Sequence, residues 1–341
     1  MRVAVDAHNL LTDRRGISVY VRAVLREWYR ARSCDPVLIV KHPFPALLKR
    51  RLARIVGCDG VRVAARVPRD AGVVWHPWNG TFIDTDKRNV VTIHDVTPFA
   101  YPDPKPEKRR HEQEPFLRSA RRADAIITDS AFSAGEIVAH LGISRERITV
   151  IPLAADAEFS PGPSLTLRSD LVRDGYVLYV GAHDERKNLR TLVEAWRGTL
   201  QPRGIPLVLI GTGIRVDGAI SLENIPAPEL RDLYRGALAV AVPSTYEGFG
   251  LPALEALACG APLIVSRAAS LPEVAGDAAH YVENPLSVAE WSDALTRLAA
   301  DEPYREQLRL AGPIRASSYS WSRTAALTLD VLENRIRATQ I

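Results

Sequence analysis

The sequence contains little cysteine and no long apolar run. Three cysteines occur among 341 residues, and Cys34, Cys58 and Cys259 lie too far apart for a CxxC pair or a metal-ligand cluster. We interpret them as small core residues of a protein in a reducing compartment. No apolar run approaches the roughly 20 residues that cross a bilayer, and the segment from Met1 to Asp6 has the pattern of a strand and not of a signal peptide. These absences predict a cytoplasmic protein.

Several binding signatures are also missing. No G-x-G-x-x-G follows the first predicted strand, which argues against an NAD-dependent oxidoreductase. No nucleic-acid module accompanies the basic residues, so nucleic acid is not an expected partner. Asp84-Thr-Asp86 has a metal-binding pattern, but it lies beside Lys87 and Arg88 in a polar loop, and we interpret it as a solvated turn. We expect neither a metal ion nor a bound cofactor.

The charge of the chain is unevenly distributed. Residues 1–160 hold 26 Lys and Arg against 19 Asp and Glu, a net charge of +7, whereas residues 161–341 hold 18 against 21, a net charge of −3. A basic domain suits an anionic partner such as phospholipid headgroups or a lipid-phosphate-linked acceptor. The candidate residues for such a patch are Lys49, Arg50, Arg51 and Arg54. The same residues would also suit a solvated helix face.

Hydrophobic periodicity predicts an α/β protein. With 46% hydrophobic and 25% charged residues, the chain can bury the cores of two domains of about 150 residues each. Short apolar runs alternate with amphipathic stretches, which is typical of parallel sheets. Helices are expected at 18–30 and at 133–141, the latter capped by Ser130 or Ser133. Strands are expected at 2–6, 37–40, 73–75, 90–93, 125–128, 148–151, 176–180, 207–210, 239–242, 262–265 and 280–281. Residues 152–174, rich in proline, predict an interdomain linker.

Residues 243–260, Pro-Ser-Thr-Tyr-Glu-Gly-Phe-Gly-Leu-Pro-Ala-Leu-Glu-Ala-Leu-Ala-Cys-Gly, are the most informative segment. They follow the strand at 239–242, at the carboxyl end where ligands of open α/β sheets bind. Gly248 and Gly250 allow the backbone to approach a ligand closely. A helix is predicted to start with Pro252 at its first position and to end near the last glycine of the segment. Its first turn offers N–H groups and the positive end of a dipole to a diphosphate.

Charged side chains in and before this segment are candidates for donor binding. Glu247 and Glu255 can each accept charge-assisted hydrogen bonds from vicinal hydroxyls, one from the ribose of a nucleotide and the other from a transferred sugar. The alternative is that they serve only the helix dipole. Arg186 and Lys187 precede an amphipathic helix that begins near Leu189, and they suit either a diphosphate or a solvated basic pair.

The segment 243–260 looks like the EX7E signature of the retaining glycosyltransferases of family 4. Further segments resemble that family, in the correct order and along nearly the whole chain: Val-Val-Thr-Ile-His-Asp-Val-Thr-Pro at 90–98, residues 124–161, Tyr-Val-Leu-Tyr-Val-Gly-Ala-His-Asp-Glu-Arg-Lys-Asn-Leu at 176–189, Ser-Leu-Pro-Glu-Val-Ala-Gly at 270–276 and Tyr-Ser-Trp-Ser-Arg-Thr-Ala at 319–325. The resemblance implies the GT-B fold, an α/β architecture of two Rossmann-like domains with parallel sheets facing across a cleft. It implies an acceptor-binding domain at 1–155, a linker at 156–174, a nucleotide-sugar-binding domain at 175–318 and C-terminal helices at 319–341 that cross back to the first domain.

The resemblance also implies roles for individual residues. The residues that it places at the reaction centre are His94, Arg186, Lys187 and Glu247. The residues that it assigns to the donor are Gly16, Gly181, Arg186, Lys187, Glu247, Gly248, Phe249, Gly250, Leu251 and Glu255. Many family members carry an arginine after the glycine that corresponds to Gly181, where this chain has Ala182. Arg186 is expected to replace that arginine.

Some of these residues have a second interpretation that the sequence leaves open. His94 also suits a structural histidine at the end of a strand, and Gly16 also suits an ordinary turn. The arginines at 14–15 suit either added charge or contact with the acceptor. The segment 75–79 around His76 suits either the acceptor cleft or the core.

The resemblance implies a retaining, metal-independent hexosyltransferase, most similar to bacterial polysaccharide mannosyl- and rhamnosyltransferases. Its co-substrate would be a nucleotide-sugar, with GDP-mannose the first expectation, and its acceptor a glycan or a lipid-linked sugar of surface polysaccharide or lipopolysaccharide synthesis. The enzyme would work in the cytoplasm, with peripheral contact to the anionic inner face of the plasma membrane through its basic N-terminal domain. The alternatives are a non-catalytic scaffold of the same fold, or another GT-B enzyme such as a sugar-nucleotide epimerase.

Overall fold

Two parallel β-sheets organise the chain into two compact units. The computed structural model describes residues 2–13, 16–80, 82–164 and 175–337. The first unit comprises residues 1–153 and 320–341, and the second comprises residues 154–319.

The first unit contains a seven-stranded parallel sheet in the order β3-β2-β1-β4-β5-β6-β7. Its strands are β1 (Arg2–Asp6), β2 (Val37–Ile39), β3 (Arg62–Ala64), β4 (Ala71–His76), β5 (Arg88–Thr92), β6 (Ala125–Thr128) and β7 (Ile148–Val150). The helices between them are α1 (Gly16–Ala31), α2 (Lys49–Val56), α3 (Thr97–Ala100), α4 (Pro106–Arg122) and α5 (Ala131–Leu141), with short 3-10 turns at His8–Leu11, Pro45–Leu48 and Arg145–Arg147. Val5 pairs with Leu38 of β2 and with Trp75 of β4, so the strand order reverses between β1 and β4.

The second unit contains a six-stranded parallel sheet in the order β10-β9-β8-β11-β12-β13. Its strands are β8 (Val177–Val180), β9 (Leu207–Ile210), β10 (Ile220–Leu222), β11 (Ala239–Val242), β12 (Leu263–Ser266) and β13 (His280–Val282). Its helices are α6 (Leu189–Thr199), α7 (Ala227–Gly236), α8 (Leu251–Ala258), α9 (Leu271–Ala275), α10 (Val288–Ala300) and α11 (Glu302–Ala316), with short 3-10 turns at Glu185–Lys187 and Gln201–Arg203. Here the strand order reverses between β8 and β11, which are neighbours in the sheet.

The helix α12 (Trp321–Arg337) follows the second unit in sequence but packs on the first. It contacts α1, β4, β5 and β6. Trp28 donates its indole N–H to the carbonyl oxygen of Ala325 at 2.8 Å, and Thr324 donates its hydroxyl to the carbonyl oxygen of Pro152 at 2.7 Å. No helix in the described ranges joins the length to the apolar content that a bilayer-spanning segment requires.

Helices cover both faces of each sheet, so the central strands are continuous apolar runs that can be recognised in the sequence. Every residue of β6, β9 and β11 is buried, as expected for parallel strands between two layers of helices. These three strands and β1 occupy the residues predicted for them. The edge strands β3 and β10 were not predicted, because each is three residues long and only half-buried. The cap of α5 is Ser130, whose hydroxyl oxygen accepts the N–H of Ser133 at 3.0 Å.

The described part of the predicted linker is attached to the second unit. Residues 156–164 belong to that unit, and the Arg235 guanidinium on α7 donates to the carbonyl oxygens of Ser160 at 2.8 Å and Pro161 at 3.2 Å. Residues 165–174 of the predicted linker lie outside the described residues, as do Arg14 and Arg15.

Candidate active site

The candidate donor site lies at the carboxyl ends of β8 and β11, where the strand order of the second sheet reverses. Doubly wound sheets bind ligands in the crevice at this point. The loop after β8 begins at Gly181, and a Cβ on the neighbouring Gly211 would collide with the Gly181 carbonyl oxygen. A Cβ on Gly181 itself would meet the Tyr179 hydroxyl at 2.7 Å. Glycine at 181 and 211 therefore lets two loops pass closely at the edge of the sheet.

Glu247 forms a buried ion cluster with the two predicted cations. Lys187 Nζ lies 2.5 Å from Glu247 Oε1, and Arg186 Nη1 lies 3.5 Å from Oε2. The Ser244 hydroxyl donates to Oε1 at 2.7 Å. Burial disfavours the charged carboxylate, but Lys187 and Arg186 together outweigh it and lower the pKa of Glu247. The structure thus brings together three of the predicted site residues, Arg186, Lys187 and Glu247, as an ionised group.

Hydrogen bonds from residues that were not predicted as site residues connect the loops that carry these charges. The N–H of Thr245 donates to the Arg186 carbonyl oxygen at 2.8 Å. Asn188 has a left-handed φ of 49° and donates its amide to the carbonyl oxygens of Pro243 at 3.1 Å and Pro285 at 2.6 Å. Asparagine tolerates this conformation better than most residues. An asparagine directly after Lys187 was therefore a signal in the sequence for a left-handed residue at this turn. These contacts hold Lys187 beside Glu247.

The start of α8 is shaped by a glycine and a buried serine. Gly250 has a φ of 101°, and a Cβ there would meet Leu271 Cδ2 at 2.9 Å. The helix begins at Leu251, one residue before the predicted Pro252. The Ser270 hydroxyl lies within hydrogen-bond distance of the carbonyl oxygens of Glu247 at 2.9 Å and Phe249 at 2.8 Å.

Phe249 is buried and packs edge-on against Tyr319 with ring centroids 5.8 Å apart. Its side chain therefore anchors the loop that also contains Gly248.

Glu255 occupies a different environment on the second turn of α8. The Tyr234 hydroxyl donates to Glu255 Oε2 at 2.9 Å. Burial raises the pKa of Glu255 to about 7, although the Tyr234 hydrogen bond works in the opposite direction. The two carboxyl groups of the predicted signature thus differ in charge near neutral pH. Glu247 is ionised, whereas Glu255 is only partly ionised.

His94 follows β5, and its imidazole is enclosed by protein atoms. Nδ1 lies 2.7 Å from Asp129 Oδ2, and Nε2 lies 3.1 Å from the Pro77 carbonyl oxygen. Burial disfavours the charged ring, but the Asp129 carboxylate outweighs it and raises the pKa of His94. An imidazolium satisfies both acceptors because both of its nitrogens donate. These contacts occupy both ring nitrogens and fit the structural interpretation of His94. Its assignment to the reaction centre stays a prediction that requires the Pro77 contact to open.

The remaining candidates of the first unit occupy three different environments. Gly16 is the exposed first residue of α1, next to the arginines that lie outside the described residues. His76, Trp75 and Trp78 are buried, so the segment 75–79 contributes to the core. In the predicted solvated turn, Asp84 pairs with Arg122, and Asp86 lies 3.7 Å from Lys87. Both carboxylates thus have a cation beside them.

Comparison with known proteins places this geometry in a family. A family model described as Glycosyl transferases group 1 matches residues 170–314, and one described as Glycosyltransferase Family 4 matches residues 12–159. O-antigen chain mannosyltransferase B of Escherichia coli is 33% identical over 268 residues, which cover 72% of this chain and 70% of the relative. The chain belongs to the family 4, group 1 glycosyltransferases.

For two further relatives, the matched segment covers little more than half of the relative's length. A D-inositol 3-phosphate glycosyltransferase of Pseudarthrobacter chlorophenolicus is 31% identical over 67% of this chain and 59% of its own length. The MMP alpha-(1->4)-mannosyltransferase of Mycolicibacterium hassiacum is 33% identical over 64% of this chain and 56% of its own length. In both cases the match spans less than two thirds of the relative.

Several solved structures share the fold of this protein along nearly the whole chain. Sucrose-phosphate synthase from Thermosynechococcus elongatus has a TM-score of 0.75 at 19% identity and covers 99% of both chains. Anabaena HepE in complex with UDP-glucose has a TM-score of 0.72 at 16% identity and covers 97% of this chain and 100% of its own. WaaG, a glycosyltransferase involved in lipopolysaccharide biosynthesis, has a TM-score of 0.69 at 13% identity and covers 97% and 99%. The predicted GT-B fold is confirmed.

Proposed function

We propose that the protein is a retaining, metal-independent hexosyltransferase that moves mannose from GDP-mannose to a glycan or lipid-linked acceptor in the synthesis of a bacterial surface polysaccharide. Relatives named as an O-antigen chain mannosyltransferase and an MMP alpha-(1->4)-mannosyltransferase support the sugar and the kind of product. A neighbour solved with UDP-glucose supports a nucleotide-sugar as the donor.

The observation that carries this proposal is the ion cluster of Glu247, Lys187 and Arg186 beside the start of α8. Lys187 and Arg186 both contact Glu247, and Arg186 also lies 3.1 Å from the Asp184 carboxylate. A diphosphate near Lys187 would be stabilised by these two cations and by the N–H groups of the first turn of α8. Glu247 would then accept hydrogen bonds from hydroxyls of the transferred sugar, and Glu255 from the ribose.

The proposed chemistry occurs on one face of the sugar. The bond between the anomeric carbon and the phosphate oxygen breaks, and the acceptor oxygen bonds to the anomeric carbon from the same side. The acceptor proton passes to the departing phosphate oxygen, so GDP leaves and the anomeric configuration is retained. We favour this route because the sequence offers no obvious carboxylate nucleophile in the N-terminal domain. Lys187 and Arg186 stabilise the charge that develops on the diphosphate, which is the role of a divalent ion in other enzymes.

Two measurements test the donor and the chemistry. A thermal-shift screen of GDP, UDP, dTDP and ADP should give the largest increase in Tm with GDP, because a ligand of the folded state stabilises it. Transfer from GDP-mannose should proceed at the same rate in EDTA, and nuclear magnetic resonance should show the donor's anomeric configuration in the product. A preference for UDP would reject the proposed donor. An inverted product, or activity that requires a divalent ion, would reject the mechanism.

A non-catalytic scaffold of the same fold is distinguished by turnover. Such a protein would bind a nucleotide but would release no sugar from any nucleotide-sugar, either to water or to a panel of acceptors. The clustering of Lys187 and Arg186 around an ionised Glu247 favours the enzyme, because a scaffold has no use for an ion cluster at the donor end of the sheet.

We further propose that the enzyme works in the cytoplasm and binds the inner membrane surface through α2. Lys49, Arg50 and Arg54 are exposed on this helix and line a cavity of about 620 Å³. Just before the helix, Phe44 is 67% exposed and Leu47 is 72% exposed. Basic residues next to exposed apolar ones suit an anionic lipid surface, where the charges bind headgroups and the apolar side chains enter the interface.

A further inference from the structure

A second carboxylate–histidine pair lies at the carboxyl end of β1, where the strand order of the first sheet reverses. Asp6 is the last residue of β1, and His8 begins the turn that follows. In a doubly wound sheet this reversal, between β1 and β4, is the position at which ligands bind.

Asp6 is a buried carboxylate that is aimed at His8. Its side chain is 1% exposed, its Oδ1 accepts the backbone N–H of His8 at 3.1 Å, and the same oxygen lies 3.2 Å from His8 Nδ1. The other oxygen, Oδ2, has no hydrogen-bond partner among the described residues. Burying an unpaired oxygen costs about 1–3 kcal/mol. Asp6 thus lies against both the backbone N–H and the ring of His8.

His76 is the other group beside Asp6. Its Nδ1 lies 4.0 Å from Asp6 Oδ2, and although burial works in the opposite direction, His76 and His8 together lower the pKa of Asp6. The same Nδ1 accepts the N–H of Ile83 at 3.3 Å, and Nε2 donates to Asn89 Oδ1 at 3.0 Å. His76 is therefore satisfied without Asp6.

His8 differs from Asp6 because its ring is partly open. Its side chain is 15% exposed, and within the described ranges no residue hydrogen-bonds its Nε2. Burial, together with the nearby Lys41 and His76, lowers the pKa of His8 although Asp6 works in the opposite direction. The ring is therefore neutral at neutral pH. The Asp6 carboxylate, 3.2 Å from Nδ1, favours the tautomer that carries the proton on Nδ1 and the lone pair on Nε2.

His8 and His94 thus differ in whether a ring nitrogen is available to a ligand. Both ring nitrogens of His94 contact protein acceptors, whereas no described residue hydrogen-bonds Nε2 of the partly exposed His8 ring. We propose that His8, held in its Nδ1–H tautomer by Asp6, accepts a hydrogen bond from a hydroxyl group of the acceptor sugar. The inference rests on the proposed function, since it assigns a binding role on the acceptor side of the same reaction. Asp6 acts as a positioning residue.

Separate kinetics for donor and acceptor test this role. In His8→Ala the acceptor KM should rise about five- to tenfold, the loss expected for one hydrogen bond. The affinity for GDP and the slow hydrolysis of GDP-mannose in the absence of acceptor should stay unchanged, because neither involves the acceptor. His8→Gln keeps an acceptor atom and should recover part of the loss. His111→Ala, at an exposed histidine on α4, is the matched control and should behave as the wild type.

Asp6→Asn tests the tautomer. The new amide can donate to Nδ1, which moves the ring proton to Nε2 and removes the lone pair from the open side. The acceptor KM should then rise as in His8→Ala, with GDP affinity retained. An unchanged acceptor KM in His8→Ala, or an equal loss of GDP affinity and donor hydrolysis, would overturn the inference while wild-type transfer still supported the proposed function. A wild-type protein that uses no nucleotide-sugar would reject both.

Discussion

At the scale of single residues, Glu247 is the charged group at the centre of the proposed donor site. It is nearly inaccessible to solvent, with a side-chain exposure of 8%, yet the adjacent cations keep it ionised. A buried charge is tolerated only with its partners in place. The same cations are the residues that we assign to the diphosphate, so stability and donor binding depend on one set of contacts.

The first prediction concerns this shared dependence. Lys187→Met should lower the free energy of unfolding by on the order of 3 kcal/mol, because it leaves Glu247 buried beside Arg186 alone. Adding Glu247→Gln should restore most of the stability without restoring transfer, since the two residues are coupled. Urea unfolding and transfer assays on the single and double variants measure both effects. Arg190→Ala, which removes an exposed cation three residues away, should change neither. Additive losses of stability in the double variant would contradict the coupling.

The second prediction uses the raised pKa of Glu255. The folded protein holds this proton more tightly than the unfolded chain, whose carboxyl group keeps its ordinary pKa of 4.5. The contribution of Glu255 to stability is therefore fully present below about pH 4.5 and is lost as the pH rises through about 7. The ligand-free protein should lose on the order of 1–3 kcal/mol from this group between pH 5 and pH 8.

Unfolding of the wild type and of Glu255→Gln, followed across this pH range, isolates that contribution. GDP-mannose should also bind more tightly above pH 7, where an ionised Glu255 is the stronger hydrogen-bond acceptor. A stability difference between the two proteins that does not vary with pH would show that Glu255 has an ordinary pKa.

At the scale of elements, the turn between β11 and α8 depends on the glycine that ends it. Gly250 combines a left-handed backbone with close contact to Leu271 on α9. Its neighbour Phe249 is anchored by Ser270 and Tyr319. The turn is therefore held from α9 and from the end of the second unit, and the start of α8 is oriented by packing.

The third prediction separates backbone strain from the donor site. Gly250→Ala should cost about 1–2 kcal/mol through its positive φ, and the contact with Leu271 should displace the start of α8 and weaken GDP binding at least tenfold. Gly142→Ala is the matched control, since Gly142 has a φ of 65° at the end of α5 with no atom near its Cβ position. It should lose similar backbone stability and keep GDP affinity. Equal GDP affinities in the two variants would show that the turn does not position the donor.

At the scale of the whole molecule, the two units repeat one topology with different charge. In each sheet the first four strands of the unit lie side by side in the order third, second, first, fourth. The strand order therefore reverses beside the first strand of each sheet. The N-terminal residues carry the positive charge and the C-terminal residues the negative charge. A shared topology with opposite charge suits two units that bind different partners.

The fourth prediction tests the membrane surface. Phe44→Ser with Leu47→Ser should reduce binding to phosphatidylglycerol vesicles at least tenfold, because two exposed apolar side chains can no longer enter the interface. Co-sedimentation measures the bound fraction, and higher salt should weaken binding of the wild type. Leu310→Ser, at a residue 64% exposed on α11, is the control and should have no effect. Equal binding to neutral phosphatidylcholine vesicles would reject the proposed surface.

Local patterns explain which features could be predicted. The strands β1, β6, β9 and β11 were predicted at their residues, because each is a continuous apolar run between polar turns. The predicted helix after residue 250 was displaced by one residue, since Pro252 is tolerated equally well at either of the first two helical positions. The edge strands β3 and β10 left no such pattern, because their half-buried residues need not be apolar.

The sequence by itself determined the fold class and pointed to the candidate donor segment, because periodicity, glycines and helix boundaries are encoded by neighbouring residues. Only the tertiary structure decided the chemical state of those residues. Lys187 pairs with Glu247, 60 residues away in the sequence. The two ring nitrogens of His94 contact Asp129 and Pro77, whereas the His8 ring lies beside the buried Asp6. Burial and charge shift a pKa through distances in space, and distances between loops at the ends of different strands arise only when the sheet has formed.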